Sequence, residues 1–313
     1  MGLTVAPSWL WIAFTIGVVI LLAIDLSLFG RGHHKVSRKA ALLESGLWIT
    51  VALMFNAWFA HSYGTQLGLE FLTGYLVEKS LSVDNLFVIL LIFGSFKVPA
   101  QYQHRVLFYG VLGAILMRAF FIILGAQLLH HFHWILYVFG LILVITAINF
   151  LRNTDDHIDT KENWSLRLMR RFLPTTEKYH GSNFFVVEDG VRKVTPLFMA
   201  LVVIEATDLV FAVDSIPAVF AVTQDAFVAF ASNILAVLGL RALYFVLADG
   251  LNELRYLKPG LAAILAFIGT KMLIVDFVKI PSWVSLLVIV SILTTAGLSS
   301  WYVNVQARKK DGV

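Results

Sequence analysis

The residues of this chain best suited to chemistry are acids set in apolar surroundings. Glu78 and Asp84 lie in "TGYLVEKSLSVDNLFVILLIFG" (73–94), and Glu205, Asp208 and Asp214 lie in "LVVIEATDLVFAVDSIPAVF" (201–220). Asn85 and Ser215 directly follow two of the aspartates and add neutral oxygens. Both stretches read as membrane helix, where an ionised side chain at the bilayer centre costs roughly 2.5–3.5 kcal/mol on insertion scales. These acids must be neutralised, paired or given a cation. Lys79, Arg118, Arg241 and Lys271 lie in comparable runs and are the available ion-pair support. Lys79 adjoins Glu78 in sequence and so points from a different face. That leaves two or three carboxylates without a cationic side chain.

The remaining oxygens suit a hard divalent ion such as Mg²⁺, Ca²⁺ or Mn²⁺. The chain has no cysteine, and neither acidic stretch holds a histidine, which argues against Zn²⁺ and Cu⁺. The candidate metal residues are therefore Glu78, Asp84, Asn85, Glu205, Asp208 and Asp214. On a straight helix, residues six apart diverge by about 120° and sit ~9 Å apart along the axis. Glu78 and Asp84 cannot then share one ion unless the helix breaks. Pro217 cannot donate to the Val213 carbonyl, and Ser80 and Ser82 permit similar loosening, so breaks are expected beside both aspartates. The expected site uses Asp84, Asn85, Asp214 and at least one of Glu78 and Asp208. Glu205 and Asp208, three apart, share a face.

These residues need membrane helices to hold them. The chain is 59% apolar and 14% charged, against about 45–50% and about 25% in a soluble domain. We expect an all-α, polytopic membrane protein of about nine spans: 9–29, 42–60, 69–94, 106–129, 134–151, 196–222, 226–248, 260–278 and 282–303. The first run is too long for a typical signal-peptide core and lacks a basic region before it, so it reads as a retained span. The net charge of +4 is not a nucleic-acid signal here. In membrane proteins basic residues mark cytoplasmic loops. Nineteen Lys and Arg fall in alternate connections and the C-terminal tail, against Lys279 alone in the others. This asymmetry places the N-terminus outside and the C-terminus in the cytoplasm, and makes the 152–195 loop cytoplasmic. Within that loop, "WSLRLMRRFLP" reads as a basic amphipathic helix and "FFVVEDGVRKV" as a hairpin turning at Asp189-Gly190.

The two acidic stretches match each other. Aligning "VDN" on "VDS" places Asp84 on Asp214 and Glu78 on Asp208. The next spans follow: "GVLGAILMRAFF" (110–121) against "NILAVLGLRALYF" (233–245) places Arg118 on Arg241. Spans three to five therefore repeat as spans six to eight. Three is odd, so the second unit enters from the opposite side, and inverted repeats of this kind are a transporter signature with the site near the midplane. The organisation is two N-terminal helices (1–62), a first repeat (67–151), the loop (152–195), a second repeat (196–279), then a last helix and tail (280–313). Asp25 sits near the inner end of span one as an interfacial acid or part of the ion path. His61, His130, His131 and His133 lie on the expected outer side as interfacial polar groups.

On the motifs "FLTGYLVEKSLSVDNLFV" (71–88), "YGVLGAILMRAF" (109–120), "DLVFAVDSIPAVFAVT" (208–223), "SNILAVLGLRALYF" (232–245) and "GTKMLIVDF" (269–277), with "AIDLSLFG" (23–30), the chain resembles the TerC family of integral membrane proteins, closest to its Alx-type branch. The family is associated with tellurite resistance, alkaline-pH response and manganese efflux. The resemblance implies a Mn²⁺ exporter of the bacterial inner membrane, with Glu78, Asp84, Asn85, Asp208 and Asp214 at the acidic-motif positions. Lys271 also matches, while the corresponding first-half position is Ala147. Some members carry a redox-modulator label, for which this chain offers no thiol.

Two other classes are weighed. A non-transporting membrane partner, supplying metal to exported proteins or helping to assemble them, is compatible with the long inner loop. An intramembrane aspartyl protease is not supported, because the Gly-x-Gly-Asp context is missing at Asp84 and Asp214. No enzyme activity is expected. No Walker-type loop is present to power export, so proton antiport through a carboxylate is the coupling the sequence allows.

Overall fold

The computed structural model describes residues 4–29, 38–132, 134–152, 173–188, 190–247 and 256–310. Its order is α1 (Ser8–Phe29), α2 (Arg38–Tyr63), α3 (Thr65–Phe96), α4 (Ala100–His131), α5 (Ile135–Arg152), β1 (Phe185–Glu188), β2 (Val191–Val194), α6 (Pro196–Val222), α7 (Ala226–Val237), α8 (Leu240–Leu247), α9 (Leu257–Leu273) and α10 (Ser282–Lys310). Among the described residues the protein is all-α apart from one hairpin. Six described helical segments are long and apolar enough to cross a membrane: Ser8–Asp25, Lys39–Tyr63, Ala100–His131, Pro196–Val222, Ala226–Val246 and Ser282–Ser300. Ile135–Asn149 is a shorter apolar helix.

The helices turn apolar side chains outward where lipid replaces water. On α1, Ile12, Ile16, Val19 and Ile20 are exposed, while Leu10, Phe14 and Val18 are buried. This inversion of the soluble pattern is what a bilayer permits, since polar faces gain nothing there. The interior is built around α7, where every residue from Ala226 to Val237 is buried. It packs chiefly on α3 and α4, and also on α2. An aromatic cluster of Trp11, Phe14, Phe55, Phe59, Phe71 and Phe227 ties α1, α2, α3 and α7 together. Elsewhere α5 lies against α9 with backbone in close approach: a Cβ on Gly140 would sit 2.9 Å from the Gly269 carbonyl oxygen. Small residues let membrane helices approach this closely.

Two expectations about breaks are corrected. Both acidic helices run unbroken, α3 through Ser80 and Ser82 and α6 through Pro217. The span expected over 226–248 is present as Ala226–Val246, but with an unexpected break at Gly239 between α7 and α8. Gly239 has φ +83°, and a Cβ there would lie 2.7 Å from the Trp48 side chain. Only glycine meets both demands without strain.

The expected hairpin is present, with Phe185 opposite Val194 and Glu188 opposite Val191. Gly190 at its turn has φ +77°. It is anchored to one end of the bundle: the Tyr179 hydroxyl donates to the Phe96 carbonyl at 2.8 Å, and Arg105 donates to Ser182 at 2.8 Å. The "WSLRLMRRFLP" helix lies almost wholly outside the described residues, as do Asp189 and His133.

Candidate functional site

Midway along α3, α4 and α6, the acids meet an arginine. Glu78 and Arg118 form a fully buried ion pair. The Glu78 carboxylate also accepts from Asn233 Nδ2 of α7 at 2.8 Å and from Ser82 at 3.3 Å. An ion pair this dry persists only if its remaining lone pairs are met, and Asn233 and Ser82 meet them. Arg118 reaches a second acid, Asp208 of α6, at 3.4 Å. That contact is long for a charge-assisted bond, which is usually about 2.7–2.9 Å. The other Asp208 oxygen, Oδ2, is buried with no hydrogen-bond partner. Asp208, Thr207 and Asn85 line a small cavity of about 40 Å³ between α3, α4, α6 and α8.

The other candidate residues are spread more widely. Glu205 shares the α6 face of Asp208, and its carboxylate fills the space a side chain at Gly113 of α4 would need. Asp214 turns toward α5, where Thr146 donates to it at 2.7 Å. The side chain of Asp84 lies outside the described residues, although its backbone continues α3. Among the described residues, no three His, Asp or Glu side chains converge as a metal cluster.

The cationic residues resolve differently from one another. Arg118 pairs with Glu78 of α3 and Asp208 of α6. Arg241 binds Asp25 of α1 at 2.8 Å and Glu44 of α2 at 2.7 Å. Asp25 is thus buried in an ion pair rather than interfacial. Lys79 donates to the Ala236 carbonyl at 3.1 Å, capping the C-terminal end of α7 that the break at Gly239 leaves open. Lys271 donates to Ser285 at 3.0 Å near the far end of the bundle. It lines a separate cavity of about 390 Å³ with Glu70, Gln224 and Asp225.

Sequence reasoning passed over Asn233, Glu44, His104 and Thr146. Asn233 and Glu44 were discoverable as an amide and an acid inside apolar runs. His104 and Thr146 carry no local signal; only their partners, more than sixty residues away, mark them.

The Integral membrane protein TerC family matches residues 63–309. The chain belongs to the TerC family. Alx of Escherichia coli (strain K12), provisionally named a membrane-bound redox modulator, is 45% identical over 318 residues, spanning 99% of each chain. Membrane protein STKORF319 of Myxococcus xanthus is 48% identical over 297 residues, covering 95% of this chain and 93% of its own. The Alx of Salmonella typhi is 46% identical over 98% of each chain. No solved structure matches. This TerC member is an integral, multi-pass membrane protein with bacterial relatives, in contact with the lipid bilayer.

Proposed function

We propose that this protein exports a hard divalent cation, Mn²⁺ foremost, across the bacterial inner membrane through an acidic site at mid-membrane. The observation that carries this reading is Asp208: a carboxylate half-way along α6 with one buried oxygen unpartnered, on a cavity shared with Asn85. A carboxylate oxygen left bare at that depth is costly. A cation with all-oxygen ligands relieves the cost, and Mn²⁺ fits such ligands. The loose Arg118–Asp208 contact makes exchange feasible. Arg118 stays neutralised by Glu78 when Asp208 turns to a cation, so Glu78 acts as a fixed counter-ion rather than a ligand. Asp84 and Asn85 supply the oxygens from α3, and Glu205 and Asp214 lie along α6 on either side as approach positions.

The packing supports two inverted three-helix repeats within a nine-span chain. α3 packs on α7 as α6 packs on α4, and α5 packs on its counterpart α9. Glu78 and Asp208, matched in the sequence repeat, meet at one guanidinium. With the hairpin end in the cytoplasm, as the basic loops require, the N-terminus is outside. The redox label of the Alx relatives reaches this chain through metal supply, because it has no thiol. The competing reading is a non-transporting partner that delivers metal or assists assembly.

Mn²⁺ flux into proteoliposomes decides between them. Wild type carries Mn²⁺, and Asp208→Asn, Asp84→Ala and Asp214→Ala abolish the flux. Normal transport by Asp84→Ala and Asp214→Ala would sink the site, and the absence of flux in wild type would sink the exporter.

A further inference from the structure

A second buried charge cluster lies toward the hairpin end, outside the ion site. Nη2 of Arg241 donates to Asp25 and to Glu44, at 2.8 and 2.7 Å. Nη1 of the same guanidinium faces His104 Nε2 of α4 at 2.5 Å. A guanidinium only donates, so Nε2 is the acceptor and the ring, in this arrangement, is neutral with its proton on Nδ1. Asp25, Glu44 and Arg241 are 8%, 6% and 4% exposed. Three groups that can each take a proton therefore converge on one that cannot lose its own. With both carboxylates ionised the four side chains carry an excess negative charge, which burial disfavours. One proton removes the excess and frees one arm of Arg241.

The cluster is also connected. The cavity lined by Asp208 and Asn85 is also lined by Arg241 and Leu240. Its volume of about 40 Å³ exceeds the 10–15 Å³ that one water needs. Among the described residues, the titratable and charged groups bonded within the cluster are Asp25 from α1, Glu44 from α2, His104 from α4 and Arg241 from α8, and Asp208 of α6 lines the same cavity as Arg241. Asp84 of α3 lies outside the described side chains, and α7 brings no titratable residue.

We infer that Asp25, Glu44, His104 and Arg241 form a proton-exchange station coupled through this cavity to the cation at Asp208. A cation at Asp208 raises the local potential, and the station's carboxylic acid O–H gives its proton to water at the hairpin end. The resulting carboxylate is taken up by Arg241. Reprotonation reverses the step and weakens cation binding, because such coupling is reciprocal. The inference rests on the exporter reading for its cargo, but the proton exchange can be read independently.

The test uses the full chain in liposomes. Infrared difference spectra of wild type should show a carboxylic-acid band that titrates with pH and is lost when Mn²⁺ is added. Asp25→Asn and Glu44→Gln should each reduce the band, and Glu188→Gln in the hairpin should not. In flux measurements, one unit of pH gradient should concentrate Mn²⁺ about tenfold per proton exchanged in wild type, and the station variants should lose this response while still carrying Mn²⁺ down its own gradient. A band that survives both substitutions, or a gradient response that survives them, overturns the station and leaves the exporter reading standing. A titrating band in a wild type that carries no Mn²⁺ overturns the exporter and keeps the station. Should the carboxylate variants fail to fold, His104→Gln keeps an acceptor for Arg241 but cannot take a proton. It should shift the pH at which Mn²⁺ binding falls, and an unchanged pH profile counts against the station.

Discussion

Arg118 and Arg241 occupy matching places in the two halves of the sequence, yet they hold different company. Arg118 lies at the centre of the bundle and joins one acid from each half, Glu78 and Asp208. Arg241 binds Asp25 and Glu44, which belong to α1 and α2. Of the two buried arginines, one closes the contact among α3, α4 and α6, and the other ties α8 to α1 and α2.

The largest expected effect tests the central member of the pair. Arg118→Ala leaves Glu78 buried and unpaired, and should cost about 3–5 kcal/mol, read as the unfolding midpoint in detergent. Arg241→Ala should cost less, because the Asp25 and Glu44 side chains keep 10% and 5% exposure whereas Glu78 has none. A larger loss at Arg241 would break the comparison. Next, double-mutant cycles should find Arg241 and Glu44 coupled by about 0.5–3 kcal/mol, and Arg241 and Glu78 nearly additive. Strong coupling of the second pair would show that the two clusters act as one.

Gly239→Ala sharpens the comparison from the backbone side, since this break precedes Arg241 and has no counterpart in α4 before Arg118. The left-handed φ of +83° and the contact with Trp48 should make the change cost about 1–3 kcal/mol. It should also loosen the Lys79 cap on Ala236. The smallest effect lies outside the membrane. The Lys193 ammonium bonded to Glu188, followed by His180, holds that carboxyl below its usual range. A group whose folded value is depressed adds stability above its unfolded value and loses it as pH falls through the folded one. Hydrogen-exchange protection in the two strands, taken relative to the intrinsic exchange rate at each pH, should therefore fall only on acidification below the ordinary carboxylate range. Charge at the two arginine clusters should not respond to Glu188→Gln.

Much of the scaffold could be read from the sequence, because apolar runs of span length have few alternatives. The 196–222 helix matches its expected limits, and the hairpin follows from Asp-Gly between β-rich runs. The break did not, since "AVLGLRALYF" is apolar except for Arg241 and only Trp48, almost two hundred residues earlier, explains why the glycine is needed. Pro217 misled in the opposite direction: α6 absorbs it inside a continuous helix. The acids themselves were visible as charges out of place. Their partners were not, because Glu78 could equally have been a ligand or a counter-ion until Arg118 and Asn233 were placed beside it. Glu44 was overlooked since α2 opens in basic sequence, where an acid reads as surface.

The enclosure of α7 bears on how the protein is made. Its residues are covered on all sides by helices, several of which are synthesised before it. Until α7 arrives, α2, α3 and α4 must leave a gap of its width. During that interval Glu78 lacks Asn233, and the aromatic faces of α2 and α3 have no Phe227 to meet. A ribosome stalled near Thr223 would leave that groove open in the bilayer. The nascent N-terminal half is thus the form of this chain most dependent on insertion machinery for cover.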